Sequence, residues 1–393
     1  MVRYSLDDVH DDMVLGESLF SPNGDLLLSA GYRVTLQYRT RLKELSFQTI
    51  LIDVEGTEGI IPELLISEHL QREMTIALNK SVQELQNIFT YKKITKKTLN
   101  EMIVSNKNEL DRLIVNAGVS HALEKMINEI LDQSTAVLNL SVLDKVNKEL
   151  FAHTINVTIV SLCIARKFRL SYEEMKQLGM GAFNYDLGLA IVSKEILEKP
   201  DPLDDDDKKH LQQHAVFGHL MLSQNVSIPP TSAAVALQHH EYQDGSGYPR
   251  GIKGENRPPI KDLSHTNLIH RFSEIVTVAD VYNMLSEGRP HYSEKRALPE
   301  VLKTLIGMSG KKLNREVVKA LLSMVPLYPV GTRIRVVNAP VGELMGYCGV
   351  VAKDNPANLE EPQIILYETR HRQKIKPILV DLAKHKGFAL ELA

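Results

Sequence analysis

Gln238-His-His-Glu-Tyr-Gln-Asp-Gly-Ser-Gly-Tyr-Pro249 follows an apolar helical run, Ala233 to Leu237, and closes in a turn built on Gly245, Gly247 and Pro249. Neutral imidazole nitrogens ligate divalent iron, manganese or zinc. Adjacent side chains on a helix point about 100° apart, so His239 and His240 diverge at their base. They converge on one ion only if it sits at the helix end. A surface pair beside a loop fits the same two residues, so the polar residues elsewhere in the chain have to decide.

Several of those residues lie in apolar surroundings. Glu149 and His153 are one helical turn apart in the run Leu143 to Leu170, among Leu150, Val157, Val160 and Leu162. A satisfied core histidine is one reading of that pair, and a ligand pair is the other. Asp186 stands among Phe183, Leu187 and Leu189; if buried it must be paired or metal-bound, and otherwise it is an exposed helix-end residue beside Gly188. His210, His214 and His219 fall on a helix that Asp204 can cap, with acids in its first turn. The acidic run Asp204 to Asp207 lacks the glycine and distal glutamate of a calcium loop. Asp280 interrupts the apolar helix Ile275-Val-Thr-Val-Ala-Asp-Val-Tyr282, which predicts that it faces a cation.

Composition sets the bounds. The 393 residues are 43% hydrophobic and 24% charged, which is ordinary globular composition with room for two or three domains. The net charge of -3 carries no basic footprint for nucleic acid. Cys163 and Cys348 are far apart and outside any CxxC pattern, so a reducing compartment fits. No run approaches the roughly 18 apolar residues that span a bilayer, and the first residues lack a signal core, so the cytoplasm is the expected location.

Residues 1–60 read as a small α+β N-terminal module, in which Met13 to Gly16 and Leu26 to Leu28 flank the hairpin turn Ser21-Pro-Asn-Gly24. Residues 61–140 read as a helical connector, since apolar positions recur every three or four. Residues 141–325 form a central all-α domain, and 326–393, with strand-like runs at Thr332, Cys348 and Gln363, a small β-rich C-terminal module. The architecture is therefore multidomain, with any chemistry confined to the central domain.

The order His153, Tyr185-Asp186, His214, His239-His240, Gly247-Tyr248-Pro249 and Asp280 resembles the HD-GYP family, a branch of the HD phosphohydrolases that typically hydrolyses cyclic di-GMP. The likeness covers roughly Leu143 to Leu322, and Asp244-Gly-Ser-Gly-Tyr-Pro-Arg-Gly-Ile-Lys-Gly-Glu255 is its most specific stretch. Val278 to Tyr282 and Ser286-Glu-Gly-Arg-Pro290 also match. The modules at either end are similar to ones often found around such domains. The resemblance implies an HD-type helical bundle holding one to three divalent ions, iron or manganese. Asp186 would bridge two ions and act in catalysis; His214, His239 and His240 would complete one; His153 and Asp280 would hold the other, with Glu149 on a further ion. It also implies a hydroxide made nucleophilic by two cations. Arg250, Lys253 and Arg289 are candidates for phosphate contact, because arginine offers a bidentate fork. The loop Gly247-Tyr248-Pro249 would form part of the pocket rim and a surface for a protein partner, and a homodimer is compatible with it.

This chain departs from the family pattern where catalysis would be most sensitive. Tyr185 replaces the signature histidine, and Leu189 replaces the usual lysine, which leucine cannot match as a donor. Asn283 replaces an aspartate, and Tyr242 and Gln243 replace an arginine and a tryptophan. The extra sequence from Asp262 to Arg271, with His265 and His270, reads as a loop insertion. Tyr185 either ligates weakly as a phenolate or packs as a neutral phenol. Either way the second ion binds more weakly. The sequence therefore predicts a degenerate domain that binds metal and a cyclic dinucleotide with weak or no hydrolysis; the alternative is an active metal-dependent cyclic di-GMP phosphodiesterase.

Overall fold

Helices that are apolar around most of their circumference have to be buried on all sides, and two of them form the middle of the helical part of this chain. In the computed structural model the described residues are all but 21–25, 46, 48, 61–64, 90–95, 115–116, 134–136, 139–151, 201, 262–266, 290 and 341. The chain divides into two compact units. Met1–Leu64, Val137–Lys148 and Ser323–Ala393 form one; Leu65–Ala136 and Glu149–Leu322 form the other.

The first unit holds β1 (Val2–Ser5), β2 (Val14–Leu15), β3 (Leu19–Phe20), β4 (Leu26–Leu28), α1 (Leu36–Glu44) and β5 (Thr49–Asp53). It also holds β6 (Arg333–Asn338), β7 (Cys348–Lys353), β8 (Gln363–Glu368), β9 (Lys374–Asp381) and β10 (Ala389–Leu392). The sheets are antiparallel, ordered β1-β5-β2, β3-β4 and β10-β6-β7-β8-β9. Leu15, Ile50 and Ile52 share one hydrophobic cluster with Ile334, Val350, Ile364 and Leu366, so both ends of the chain build a single core.

One sequence expectation changes here. Val14 and Leu15 pair with β5, and the partner of β4 is β3, so the hairpin starts later than the flanking apolar runs suggest. Its turn, Ser21 to Gly24, lies outside the described residues. Strands β9 and β10 have no clean alternation to read: β9 is an edge strand whose residues are mostly exposed.

The helical unit contains α2 (Glu68–Ile88), α3 (Lys96–Ser105), α4 (Lys107–Ile114), α5 (Ala117–Asp132), α6 (Ala152–Lys167), α7 (Tyr172–Asn184) and α8 (Lys194–Leu197). It continues through α9 (Asp205–Gln212), α10 (His214–Ser223), α11 (Pro230–Gln238), α12 (Arg271–Glu287), α13 (Leu298–Met308) and α14 (Arg315–Leu322). Helix α6 buries Ile155, Val157, Ile159, Val160, Leu162 and Ile164, and α12 buries every residue from Phe272 to Asn283. The two pack on each other, α7 lies against α6, and α11 lies against α7 and α12. Helix α7 begins with a capping box between Ser171 and Glu174. Asp204 caps α9, accepting from the backbone of Asp206 and Asp207, so the aspartate run is a helix start. The expected single helix through His210, His214 and His219 is broken at Gln213, which ends α9 and puts His214 at the first position of α10.

A short 3-10 turn, Leu187–Ile191, follows Asp186 and packs against α10. The approach is close because Gly188 has no side chain: a Cβ there would lie 2.0 Å from the carbonyl oxygen of His214. That contact holds Asp186 against the start of α10. Gly188→Ala should therefore lower stability by about 1–3 kcal/mol. Gly59→Ala, with nothing within 4 Å of its Cβ, should change it by less than about 0.5 kcal/mol. Denaturant unfolding followed by circular dichroism measures both.

Candidate metal centre

Four residues of the predicted ligand set sit where a helix ends or begins. Asp186 lies just past α7, His214 opens α10, and His239 and His240 follow the last residue of α11. This answers the divergence of adjacent histidines, since past the helix end both rings turn to one point. One ligand atom from each of the four lies within 4.8 Å of all the others, and all four residues are buried.

The tautomers follow from the partners. His214 Nδ1 lies 2.6 Å from the Leu211 carbonyl oxygen, and His239 Nδ1 lies 2.9 Å from that of Ala236. A carbonyl only accepts, so both Nδ1 atoms carry the proton and both Nε2 atoms are bare. Yet the two Nε2 atoms face each other at 3.2 Å, and each lies 3.4–3.5 Å from Asp186 Oδ1. Asp186 Oδ1 and His240 Nε2 are buried without a hydrogen-bond partner. Lone pairs crowded together with no proton between them fit a cation. Ligand atoms bound to an ion at about 2.1 Å and at right angles stand about 3 Å apart, which matches this spacing.

The other half of the site is arranged differently. Tyr185 Oη donates to Asp280 Oδ1 at 2.7 Å and lies 2.7 Å from His153 Nε2. Since the phenol proton goes to Asp280, the proton at the His153 contact belongs to Nε2. His153 Nε2 is also 3.3 Å from Asp186 Oδ2. Arg289 Nη2 donates to that same Oδ2 at 2.6 Å, and its Nη1 lies 3.7 Å from Asp280 Oδ1. Thus Asp186 turns one oxygen to the histidines and the other to a guanidinium.

Burial dominates the electrostatics. It pushes His153 down to about 3 and His214 down to about 4, and holds His240 well below the ordinary imidazole value. Burial also raises the Tyr185 hydroxyl well above its ordinary value, which favours the neutral phenol. For Asp186 burial opposes ionisation, but Arg289 and the histidines outweigh it and hold the carboxyl well below the usual range. Burial raises Asp280, against the pull of Arg289.

Glu241 and Gln243 shape the loop beyond the paired histidines. Glu241 accepts from the backbone of Arg250 and Ile252, and Tyr248 donates its backbone N–H to the His240 carbonyl. The Tyr248 ring stacks on His240 with centroids 4.6 Å apart, and the peptide bond between Tyr248 and Pro249 is cis. Gln243 donates to Glu274 on α12, which also accepts from Asn314.

Residues 125–317 match the family model described as "HD domain". A cyclic di-GMP phosphodiesterase of Pseudomonas aeruginosa is 25% identical over 276 residues, 70% of this chain and 62% of that protein. A cyclic di-GMP phosphodiesterase of Thermotoga maritima is 34% identical over 177 residues, 45% of each chain. The helical domain belongs to the HD-GYP family. A 3'3'-cGAMP-specific phosphodiesterase of Vibrio cholerae is 33% identical over 139 residues, 35% of this chain and 27% of that protein. The chain thus spans less than two thirds of the length of these relatives.

Within this HD-GYP domain, the expected residues take distinct places. Asp186, His214, His239 and His240 come together; His153 and Asp280 border them through Tyr185 and Arg289. Glu149 and His265 lie outside the described residues. His270 caps α12, accepting from the Phe272 backbone. Leu189 is buried, and Asn283 Nδ2 donates to Glu287. Arg250 and Lys253 are exposed on the loop after Pro249. Two contributors escaped the sequence reading: Glu241, which clamps that loop, and Tyr292, whose ring lies 5.9 Å from that of His240 and under the Arg289 guanidinium at 4.9 Å. Nothing in their spacing marks either one.

His240→Ala should weaken Mn²⁺ binding by more than about 100-fold, since loss of outer-shell partners already costs 10–100-fold; isothermal titration of the two proteins checks this. A second expectation concerns pH. Burial pushes Glu274 from 4.5 up to about 7, although Gln243 and Asn314 both donate to it. The folded state therefore holds this proton more tightly than the unfolded chain. The stabilisation is full below about pH 4.5 and is lost as pH rises through about 7. Wild type should lose up to about 3 kcal/mol relative to Glu274→Gln between pH 4.5 and 8; chemical unfolding at both pH values measures it.

Proposed function

We propose that this domain binds a single divalent ion and a cyclic dinucleotide, cyclic di-GMP or a close relative, and hydrolyses it weakly or not at all. The observation that carries this reading is the hydrogen bonding of Tyr185 Oη to both His153 and Asp280. Those two residues would hold a second ion in the family pattern, and here a neutral phenol joins them. The buried lone pairs of Asp186, His214, His239 and His240 suit them to hold the remaining ion. When bound, that ion would neutralise a phosphodiester oxygen and lower the pKa of a coordinated water.

The chain's own residues support ligand binding beside this site. A cavity of about 730 Å³ is lined by Tyr248, Arg289, Tyr292, His291, Leu203 and Lys208. That is within the range of roughly 300–1,000 Å³ usual for small-molecule sites. Tyr248 and Tyr292 offer flat faces to bases, and Lys208 and Arg289 offer charge to phosphate. Tyr185 cannot supply the missing imidazole, and Leu189 cannot donate to the reacting phosphate. Each loss is worth several kcal/mol of transition-state stabilisation, and about 1.4 kcal/mol is tenfold in rate. The iron or manganese preference, the protein partner at Gly247-Tyr248-Pro249 and the homodimer belong to the same proposal.

A second reading, an active phosphodiesterase, draws on the relatives' names and the retained four-residue cluster. The two separate in one experiment with the manganese-loaded chain and cyclic di-GMP. Calorimetric binding with no linear product over hours supports the proposal. Metal-dependent product that is complete within minutes and disappears in His240→Ala establishes the second reading instead.

A further inference from the structure

Resting on the nucleotide binding read above, we propose that Glu274 is a positioning residue whose charge sets how firmly the loop carrying Tyr248 is held, so that cyclic dinucleotide binding follows the proton on one buried carboxyl. The residue lies in the first turn of α12, outside the metal centre.

Hydrogen-bond directions carry this. Gln243 Nε2 donates to Glu274 Oε1 at 2.7 Å, and Asn314 Nδ2 donates to Oε2 at 2.9 Å. Backbone donors hold both amides in that orientation. Gln243 Oε1 accepts from the Asn256 N–H at 3.0 Å, and Asn314 Oδ1 accepts from the N–H groups of Glu316 and Val317 at 2.9 and 3.2 Å. Glu274 therefore meets a donor at each oxygen. An ionised carboxylate, which only accepts, suits both. A neutral carboxyl carries an O–H that needs an acceptor. Presenting one means turning an amide, and the Gln243 amide turns only by releasing the Asn256 N–H.

The loop is closed by that same residue. Gln243 N–H donates to the Lys312 carbonyl, and the Gln243 carbonyl accepts from the Gly254 N–H. A Cβ on Gly254 would lie 2.2 Å from the Gln243 side-chain amide. Gln243 thus ties the two ends of the segment that contains Tyr248, while Glu241 clamps it further in, at Arg250 and Ile252. Releasing the tie loosens the stance of Tyr248, whose side chain lines the cavity.

The charged groups around the carboxyl are mostly engaged with one another. Glu255, on the loop, bears on Glu274 and pairs with Arg257 at 2.9 Å. From α7, Glu174 pairs with Arg271; from α11, Gln238 accepts from the His270 N–H; α13 buries Val301 and Leu305. On α14, Arg315 is exposed and Glu316 pairs with Lys319, and just before it Lys312 lies over the Tyr242 ring. His153 on α6 and Asp280 face the metal centre. Burial decides the balance and pushes Glu274 up to about 7, so the device works near neutral pH. The neutral form makes the fold more stable and this loop looser; the ionised form does the reverse. The loop is held above about pH 7 and released below it.

The test reads loop and ligand separately, on the full chain with saturating Mn²⁺. Hydrogen exchange at the backbone of Gly254 and Asn256, corrected for the intrinsic effect of pH, should be about tenfold slower at about pH 8.5 than at about pH 5.5 in wild type. Glu274→Gln presents a neutral amide and should exchange fast at both. Gln243→Met, which removes the tie, should do the same, and it decides the point if Glu274→Gln does not fold. By calorimetry, wild type should bind cyclic di-GMP about tenfold more weakly at the lower pH, and Glu274→Gln should show the weaker affinity at both. Equal exchange of the wild-type loop at the two pH values overturns the proposal, as does either variant that keeps the wild-type pH dependence. A loop that responds while affinity stays constant overturns its coupling to the ligand. If cyclic di-GMP binds at neither pH, the nucleotide reading fails, and the exchange data still decide the loop.

Discussion

Unprotonated nitrogens and a carboxylate oxygen, buried together at about 3 Å spacing with nothing to donate to them, are the constraint on which this centre depends. Desolvated lone pairs in contact are costly. The fold accepts that cost by fixing two of the three imidazoles through a backbone carbonyl on the far side: Leu211 for His214 and Ala236 for His239. These bonds settle the tautomers and leave Nε2 without a proton. A cation is the one kind of partner that suits all four groups at once.

The surrounding architecture follows from that demand. Side chains from one helix fan outward, so a helix interior cannot bring adjacent residues to a point. Ends can, and α7, α10 and α11 all contribute at an end. The missing side chain at Gly188 lets the turn after Asp186 close on α10. The clamp of Glu241 on the following loop fixes Tyr248 over the His240 ring. Opposite, Tyr185, His153, Asp280 and Arg289 satisfy one another by hydrogen bonds and charge. The centre is therefore asymmetric: one half lacks positive charge, and the other carries its own.

Much of this was legible in residue order. The paired histidines, the aspartates set in apolar helices and the Gly-Tyr-Pro turn are signals that survive without coordinates, because a charge in an apolar run needs an explanation. The helical character of the central domain was legible for the same reason. Other features were not. Arg289 could be assigned to phosphate from its type alone, but only geometry puts it on Asp186 and Asp280. Tyr185 leaves phenolate and phenol open in the sequence, and its burial and two hydrogen-bond partners favour phenol. The break at Gln213 has no proline or glycine to announce it. The common core of the chain's two ends is invisible to local pattern, because alternation reports which face is buried and not against what.

Among the described residues, no helix is long and apolar enough to cross a membrane. The central claim is that Asp186, His214, His239 and His240 share one ion. Anomalous diffraction from crystals of the full chain grown with Mn²⁺ tests it most directly. The account predicts one strong peak in the helical unit, in contact with those four side chains. A map with no peak there, or with its peak bound elsewhere while the four side chains remain free, would contradict it.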